Sequence, residues 1–190
     1  MMNNNAQNDR EKDIQLIESN ITKIPDFPKK GVLFYDIFSI LRDTALTQKL
    51  INISCDLILG QFRVPEDLTA IVGLESRGFL LGMILADRLK LPFVPVRKKN
   101  KLPGAVVKVN YSTEYSQDTM ELQVGALPEN SKVLLVDDLL ATGGSMRAAE
   151  ELVNMTNSQV VGYYAVFVID FLNGKEKLSY PDKLVSMIKI

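Results

Sequence analysis

The 190 residues contain no histidine. That excludes histidine metal sites and histidine general bases, so any proton transfer must use Glu, Asp, Lys, Tyr or an atom of the substrate. The one cysteine, Cys55, cannot form an intramolecular disulfide and suits a reducing compartment. Set within an apolar helical pattern, it reads as an inert buried thiol. Neither sign of charge is in excess: 22 Lys and Arg against 23 Asp and Glu leave a net charge of −1, which offers no footprint for nucleic acid. Long apolar runs are lacking too, and stretches such as 78–86 and 165–169 are too short to span a bilayer. The opening Met-Met-Asn-Asn-Asn-Ala-Gln-Asn has neither the basic nor the apolar region of a signal peptide. These absences together lead to the expectation of a cytoplasmic protein without membrane or nucleic-acid partners. What is present, 46% hydrophobic and 24% charged residues, fits a globular domain with a real core.

The most informative stretch is Lys132-Val-Leu-Leu-Val-Asp-Asp-Leu-Leu-Ala-Thr-Gly-Gly-Ser-Met146. Val133 to Val136 are apolar without alternation, as in a strand covered on both faces of a parallel sheet. Asp137 and Asp138 follow where that strand is expected to end, which is where ligands of open α/β sheets gather. Two carboxylates beside an anion site repel the anion unless ribose hydroxyls or a divalent cation lie between, so a sugar phosphate meets both demands. Ala141, Thr142, Gly143, Gly144 and Ser145 then offer converging backbone N–H groups, two hydroxyls and the positive end of a following helix. Gly143-Gly144 alone would read as an ordinary strand-to-helix turn; the lysine and spacing of a P-loop are missing.

Along the chain, residues 1–8 read as a disordered polar tail, and Ile14, Ile17 and Ile21 recur at helical spacing. Pro25, Pro28 and Gly31 argue for irregular backbone from Ile24 to Asp36, with apolar side chains that can line a pocket or pack on a core. Asp43 or Thr44 can cap a helix with Leu46, Leu50, Ile53 and Leu57 on one stripe. Thr69–Leu74 reads as a buried strand, Phe79–Leu89 as a helix and Phe93–Arg97 as the next strand, a βαβ unit. Glu75, Ser76, Arg77 and Gly78 thus occupy a second strand-to-helix turn. Arg97, Lys98, Lys99 and Lys101 form a cationic cluster, readable as a solvated charge run or as a pyrophosphate clamp. Residues 105–124 carry two alternating pieces around Tyr111-Ser-Thr-Glu-Tyr115, an antiparallel flap with Glu114 and Tyr115 at its tip. Strands are expected again at 160–169 and 184–190.

The order Pro25-Asp-Phe-Pro28, Gly31-Val32, Glu75-Ser-Arg-Gly-Phe-Leu-Leu-Gly82, Arg97-Lys-Lys-Asn-Lys-Leu-Pro-Gly104, Tyr111-Ser-Thr-Glu-Tyr115 and Val136-Asp-Asp-Leu-Leu-Ala-Thr-Gly-Gly-Ser145 closely resembles the adenine phosphoribosyltransferase family of type I phosphoribosyltransferases. The resemblance covers the chain from about Ile24 onward. It implies an α/β fold with a central, mostly parallel sheet flanked by helices, as one domain over 9–190 with an irregular hood (about 20–40) and an antiparallel flap (about 98–124). It implies transfer of a phosphoribosyl group from 5-phosphoribosyl 1-pyrophosphate to adenine, giving AMP and pyrophosphate, with Mg²⁺ held mainly by the substrate rather than by protein ligands, in a homodimer. By the same resemblance, Ala141 to Ser145 hold the 5′-phosphate, and Asp137 and Asp138 the ribose hydroxyls. Glu75, Ser76 and Arg77 form the pyrophosphate loop, with a non-proline cis peptide between the first two. Arg97, Lys98 and Lys101 are pyrophosphate ligands reaching a neighbouring subunit, Glu114 and Tyr115 are catalytic, and Leu33, Tyr35 and Ile169 line the base pocket. Tyr35 stands where many members have Arg, Glu75 and Ser145 replace the more usual Asp and Thr, and the acidic residue common near Ile169 has no clear counterpart. Transfer to another purine and a non-catalytic phosphoribosyl pyrophosphate-binding regulator are the alternatives.

Overall fold

In the computed structural model, which describes residues 4–112 and 117–190, the chain divides into two compact units, 1–54 and 55–190. In the first, helix α1 (Asn4–Asn20) begins earlier than its apolar spacing indicates, so the segment expected as a disordered tail is helical from Asn4 on. Ile17 of this helix is buried, as is Ile21 just past its end. Strands β1 (Thr22–Pro25) and β2 (Leu33–Asp36) then pair antiparallel, with Lys23 opposite Tyr35.

This ribbon corrects the expectation of irregular backbone from Ile24 to Asp36. Pro25 closes β1 opposite Leu33, and Pro28 and Gly31 are confined to the turn, where Asp26 has φ 58° and its carboxylate accepts the Gly31 N–H at 2.6 Å. The Phe27 N–H donates to the Val32 carbonyl at 3.2 Å, and the Phe27 and Phe34 rings meet edge to face, 5.0 Å between centroids. Breakers at a turn thus leave both flanking ladders intact. A short helix α2 (Phe38–Leu41) follows. Helix α3 (Thr44–Gln61) is capped by Asp43, whose carboxylate accepts the Leu46 N–H at 3.0 Å, and the division between the units falls within it.

The second unit is built on a seven-stranded sheet. Its strands are β3 (Ala70–Leu74), β4 (Phe93–Lys98), β5 (Val106–Ser112), β6 (Gln117–Gln123), β7 (Lys132–Leu140), β8 (Gln159–Val168) and β9 (Leu184–Lys189), in the order β5-β6-β4-β3-β7-β8-β9. The five from β4 to β9 run parallel, while β6 joins β4 antiparallel and folds back on β5 as a hairpin. All of β3 is buried, which is why its sequence lacks alternation. Helices α4 (Arg77–Leu89) and α5 (Gly144–Asn154) supply the crossovers after β3 and β7. Their apolar residues, Leu81, Leu85, Met146, Ala149, Leu152 and Val153 among them, are buried. Three 3-10 turns (Asp170–Leu172, Gly174–Lys177 and Pro181–Lys183) connect β8 to β9.

Two consequences position the site. The connection after β3 leads outward to β4, whereas that after β7 leads the opposite way to β8, so the chain reverses its winding between the adjacent strands β3 and β7. Crevices at such switch points, outside the carboxyl ends of strands, are where α/β sheets hold ligands. Strand β7 also runs two residues past its acids: Asp137 pairs opposite Ala165, and Leu139 and Leu140 continue opposite Phe167 and Val168. The strand therefore does not end at Asp137 and Asp138. Both acids are held on rigid ladder rather than on a loop.

Candidate active site

At the switch point, a cleft of about 660 Å³ is bounded by the turn after β3 (Glu75, Ser76, Arg77), the end of β7 (Asp137, Asp138, Leu139), Lys98 of β4, Tyr111, Asp118 and Met120 of the hairpin, and Ser145. A cup of about 90 Å³ adjoins it, formed by Ala141 to Met146 with Asp137, Leu139 and Leu140. Asp137, Leu139 and Ser145 belong to both, so one molecule with a small anionic end and a larger polar body can fill the two together.

The cup carries no charged side chain of its own loop. Gly143 has φ 78°, a left-handed conformation that lets the loop turn into α5 beside the cup, where the helix dipole adds attraction for an anion. The body of the cleft is different, because its charges are already paired. Arg77 Nε donates to Asp138 at 2.5 Å, with the Asp138 side chain almost fully buried. The Asp138 N–H donates to Asp137 Oδ1 at 2.9 Å. Burial, and then the charge of Asp138, push the Asp137 carboxyl well above the usual carboxylate range. Half-buried and lining the cleft, a carboxyl so placed is suited to neutral hydrogen-bond donors such as sugar hydroxyls.

The turn after β3 contains the cis peptide Glu75–Ser76 expected by resemblance. Burial raises the Glu75 carboxyl, but the Lys98 N–H (2.9 Å to Oε2) and the Arg97 guanidinium (3.3 Å to each oxygen) outweigh it and hold the group below its ordinary value. Arg97 also donates to the Lys101 carbonyl at 3.1 Å and lies over the Phe79 ring, 5.9 Å from its centroid. Its guanidinium is thus engaged by its own chain and does not wall the cleft; nor does the exposed Lys101 side chain. Lys98 does, paired with Asp118 at 3.0 Å, which raises the lysine and lowers the carboxyl. Tyr111 and Ser145 both line the cleft, and burial followed by the charge of Asp118 raises the Tyr111 hydroxyl.

Twelve of the residues singled out by sequence fall in this unit at one end of the sheet: Glu75, Ser76, Arg77, Lys98, Asp137, Asp138, Ala141, Thr142, Gly143, Gly144 and Ser145 line the cleft or cup, and Ile169 is tied to the loop's start by its N–H on the Leu140 carbonyl at 3.0 Å. Leu33 and Tyr35 belong to the other unit, where Lys23 Nζ sits 5.5 Å from the Tyr35 ring centroid. Glu114 and Tyr115 lie outside the described residues. Sequence reasoning missed Tyr111, Asp118 and Met120 as cleft residues. The signal was there in the hairpin: residues 109, 111, 118 and 120 come together once Tyr111 is paired with Asp118. Cys55 is half-buried, and burial pushes its thiol up, in keeping with an unreactive group.

A parallel sheet with a sugar-sized acidic cleft and an anion cup at its switch point is the architecture of a phosphoribosyltransferase, and the sequence pattern of the phosphoribosyl transferase domain matches residues 39–189. Relatives narrow the class. An adenine phosphoribosyltransferase of Natranaerobius thermophilus is 45% identical over 167 residues, covering 87% of this chain and 94% of that one. One from Saccharomyces cerevisiae is 44% identical, covering 88% and 89%. The crystal structure of the Saccharomyces cerevisiae enzyme complexed with D-2,5-dideoxy-2,5-imino-altritol 1,6-bisphosphate and adenine superposes with a TM-score of 0.87 at 42% identity, over 94% of this chain and 99% of that one. The Giardia lamblia enzyme complexed with 9-deazaadenine gives 0.85 at 36% identity, over 93% and 97%. The chain belongs to the adenine phosphoribosyltransferase family.

Proposed function

We propose that this chain transfers the 5-phosphoribosyl group of 5-phosphoribosyl 1-pyrophosphate to N9 of adenine, forming AMP and pyrophosphate in purine salvage. The carrying observation is the continuity of cup and cleft through Asp137, Leu139 and Ser145. The cup takes the 5′-phosphate, Asp137 and Asp138 meet the ribose hydroxyls, and the turn at Glu75 to Arg77, with Lys98, faces the pyrophosphate. In the reaction the bond from ribose C1 to the pyrophosphate oxygen breaks, the bond from C1 to N9 forms, and the N9 proton leaves. Positive charge grows on the ribose ring as the leaving group departs, so acids held beneath the sugar and a fixed 5′-phosphate supply orientation and charge stabilisation. Glu114 and Tyr115 are assigned by motif to proton transfer at adenine and to closure over the ribose. Leu33, Tyr35 and Ile169 are assigned in the same way to the base, and Arg97 and Lys101 to a neighbouring subunit's pyrophosphate.

Among the described residues no three His, Cys, Asp or Glu side chains gather to hold a metal ion. Glu75, Asp118 and Asp138 are each committed to a cation of the protein. By the family resemblance Mg²⁺ would be carried mainly by the substrate rather than by these residues, and when bound would offset the charge of the leaving pyrophosphate. A homodimer is supported by Leu80, Met83 and Ile84, an apolar i, i+3, i+4 stripe left exposed on α4. A cytoplasmic location accords with a described chain in which no helix is long and apolar enough to cross a membrane.

Pyrophosphate release from 5-phosphoribosyl 1-pyrophosphate and Mg²⁺, assayed separately with adenine, hypoxanthine, guanine and no base, tests the reading. Release with adenine alone is expected. Release only with another purine would reassign the base, and none with any base would leave a binding protein.

A further inference from the structure

The anion cup does not hold its shape alone. The Ala141 carbonyl oxygen and the Gly143 backbone nitrogen lie against Gly174, in the turn between β8 and β9. A Cβ placed on Gly174 would strike the Ala141 carbonyl oxygen and lie 2.8 Å from the Gly143 nitrogen. The approach is reciprocal, since a Cβ on Gly143 would strike the Gly174 carbonyl oxygen and lie 3.2 Å from its Cα. Gly143 has a second reason to be glycine in its φ of 78°, but Gly174 is not among the positive-φ residues. Only the backbone-to-backbone approach accounts for it.

The same turn is tied to the helix that opens at the cup. Glu150 of α5, 1% exposed, accepts the Ser179 N–H at 3.3 Å. Arg147, one turn earlier, donates Nη1 to the Ser179 hydroxyl at 2.6 Å and pairs with Glu150 at 3.3 Å. Between these ties Leu178 is buried in the core. Residues 174–179 are therefore pressed on the loop at one end and fastened to α5 at the other.

We propose that Gly174 is a positioning residue for the 5′-phosphate. It touches no substrate; by backbone contact it sets the direction of the Gly143 N–H and keeps the Ala141 carbonyl turned away from the cup, with the Ser179 ties holding the turn in place. Anion recognition through backbone N–H groups depends on their convergence, so a shift of a fraction of an ångström at residues 141–143 weakens the phosphate contact and leaves the side-chain contacts around Glu75 to Arg77 untouched.

The inference rests on the phosphoribosyl reading, and calorimetric titration separates the two. Ribose 5-phosphate probes the cup and Mg²⁺-pyrophosphate probes the turn after β3. Failure of the wild-type protein to bind ribose 5-phosphate would remove the underlying reading. With wild-type binding established, Gly174→Ala is expected to weaken ribose 5-phosphate about tenfold or more while pyrophosphate affinity stays within about twofold. In turnover it raises KM for 5-phosphoribosyl 1-pyrophosphate with KM for adenine unchanged. A folded Gly174→Ala protein with unaltered ribose 5-phosphate affinity, or with equal losses for both ligands, overturns the proposal. If that variant does not fold, Ser179→Ala decides: a selective loss of about threefold in ribose 5-phosphate affinity supports the role, and no loss overturns it.

Discussion

The two strand-end turns of the cleft solve anion binding in opposite ways. The turn after β3 is rich in charge, and that charge is spent internally: Glu75 is gripped by Arg97 and the Lys98 N–H, and Arg77 by Asp138. The loop after β7 has no charge of its own and relies on backbone N–H groups, a left-handed glycine and a helix end. Charged side chains can be re-paired when a ligand arrives, so the first turn is adaptable but starts from satisfied partners. Backbone donors cannot be re-paired, so the second is ready without a ligand but needs support from outside itself.

The largest expected effect strikes the charged turn. Arg77→Ala leaves the buried Asp138 carboxylate without its cation and should lower stability by about 2–3 kcal/mol, read by urea denaturation. A smaller loss would show that solvent reaches Asp138 readily and that the pair matters for ligand binding alone.

Next comes the backbone-built loop. Gly143→Ala meets both the positive φ and the Gly174 carbonyl, so a loss of about 1–2 kcal/mol is expected, together with weaker ribose 5-phosphate binding. An Ala variant as stable as wild type would mean that the loop adapts as freely as its counterpart.

Asp137→Asn should move stability the other way. The folded carboxyl has a raised affinity for its proton, so holding it ionised costs stability once pH exceeds the unfolded-state value near 4, and increasingly so up to the folded value. The amide removes that cost. Melting temperatures should coincide near pH 4 and diverge in favour of Asn toward pH 7, while ribose 5-phosphate binding weakens. No divergence with pH would place the strain elsewhere.

The smallest effect belongs to Lys98→Ala. Its pair with Asp118 is more than half exposed on the lysine side, so stability should change by less than about 0.5 kcal/mol, whereas pyrophosphate affinity should fall. Equal affinity would remove Lys98 from the anion's surroundings.

The parallel sheet and most of the cleft were legible from sequence because their signals are contiguous: an unbroken apolar strand, two acids and Ala-Thr-Gly-Gly-Ser within one run. What stayed hidden depends on register or on distant partners. Asp118 becomes a cleft residue only through pairing opposite Tyr111, and Arg97 is drawn to Glu75, 22 residues before it, rather than standing ready for a ligand. The β1–β2 ribbon was masked because Pro25 stands at the end of β1 and Pro28 and Gly31 in the turn beyond it, residues that speak for a loop and say nothing of the pairing beside them. Strand β7 outran its acids because Leu139 and Leu140 still had partners on β8.

The contact between Gly143 and Gly174 also bears on how the molecule is made. Emerging from the ribosome, the chain delivers the phosphate loop 31 residues before the glycine that braces it, and β9 later still. A nascent chain that has released the whole diagnostic motif still lacks the brace. Affinity for a sugar phosphate should therefore appear late in synthesis, only after the turn beyond β8 is free to dock, and so serve as a marker that the final segment has reached its native place.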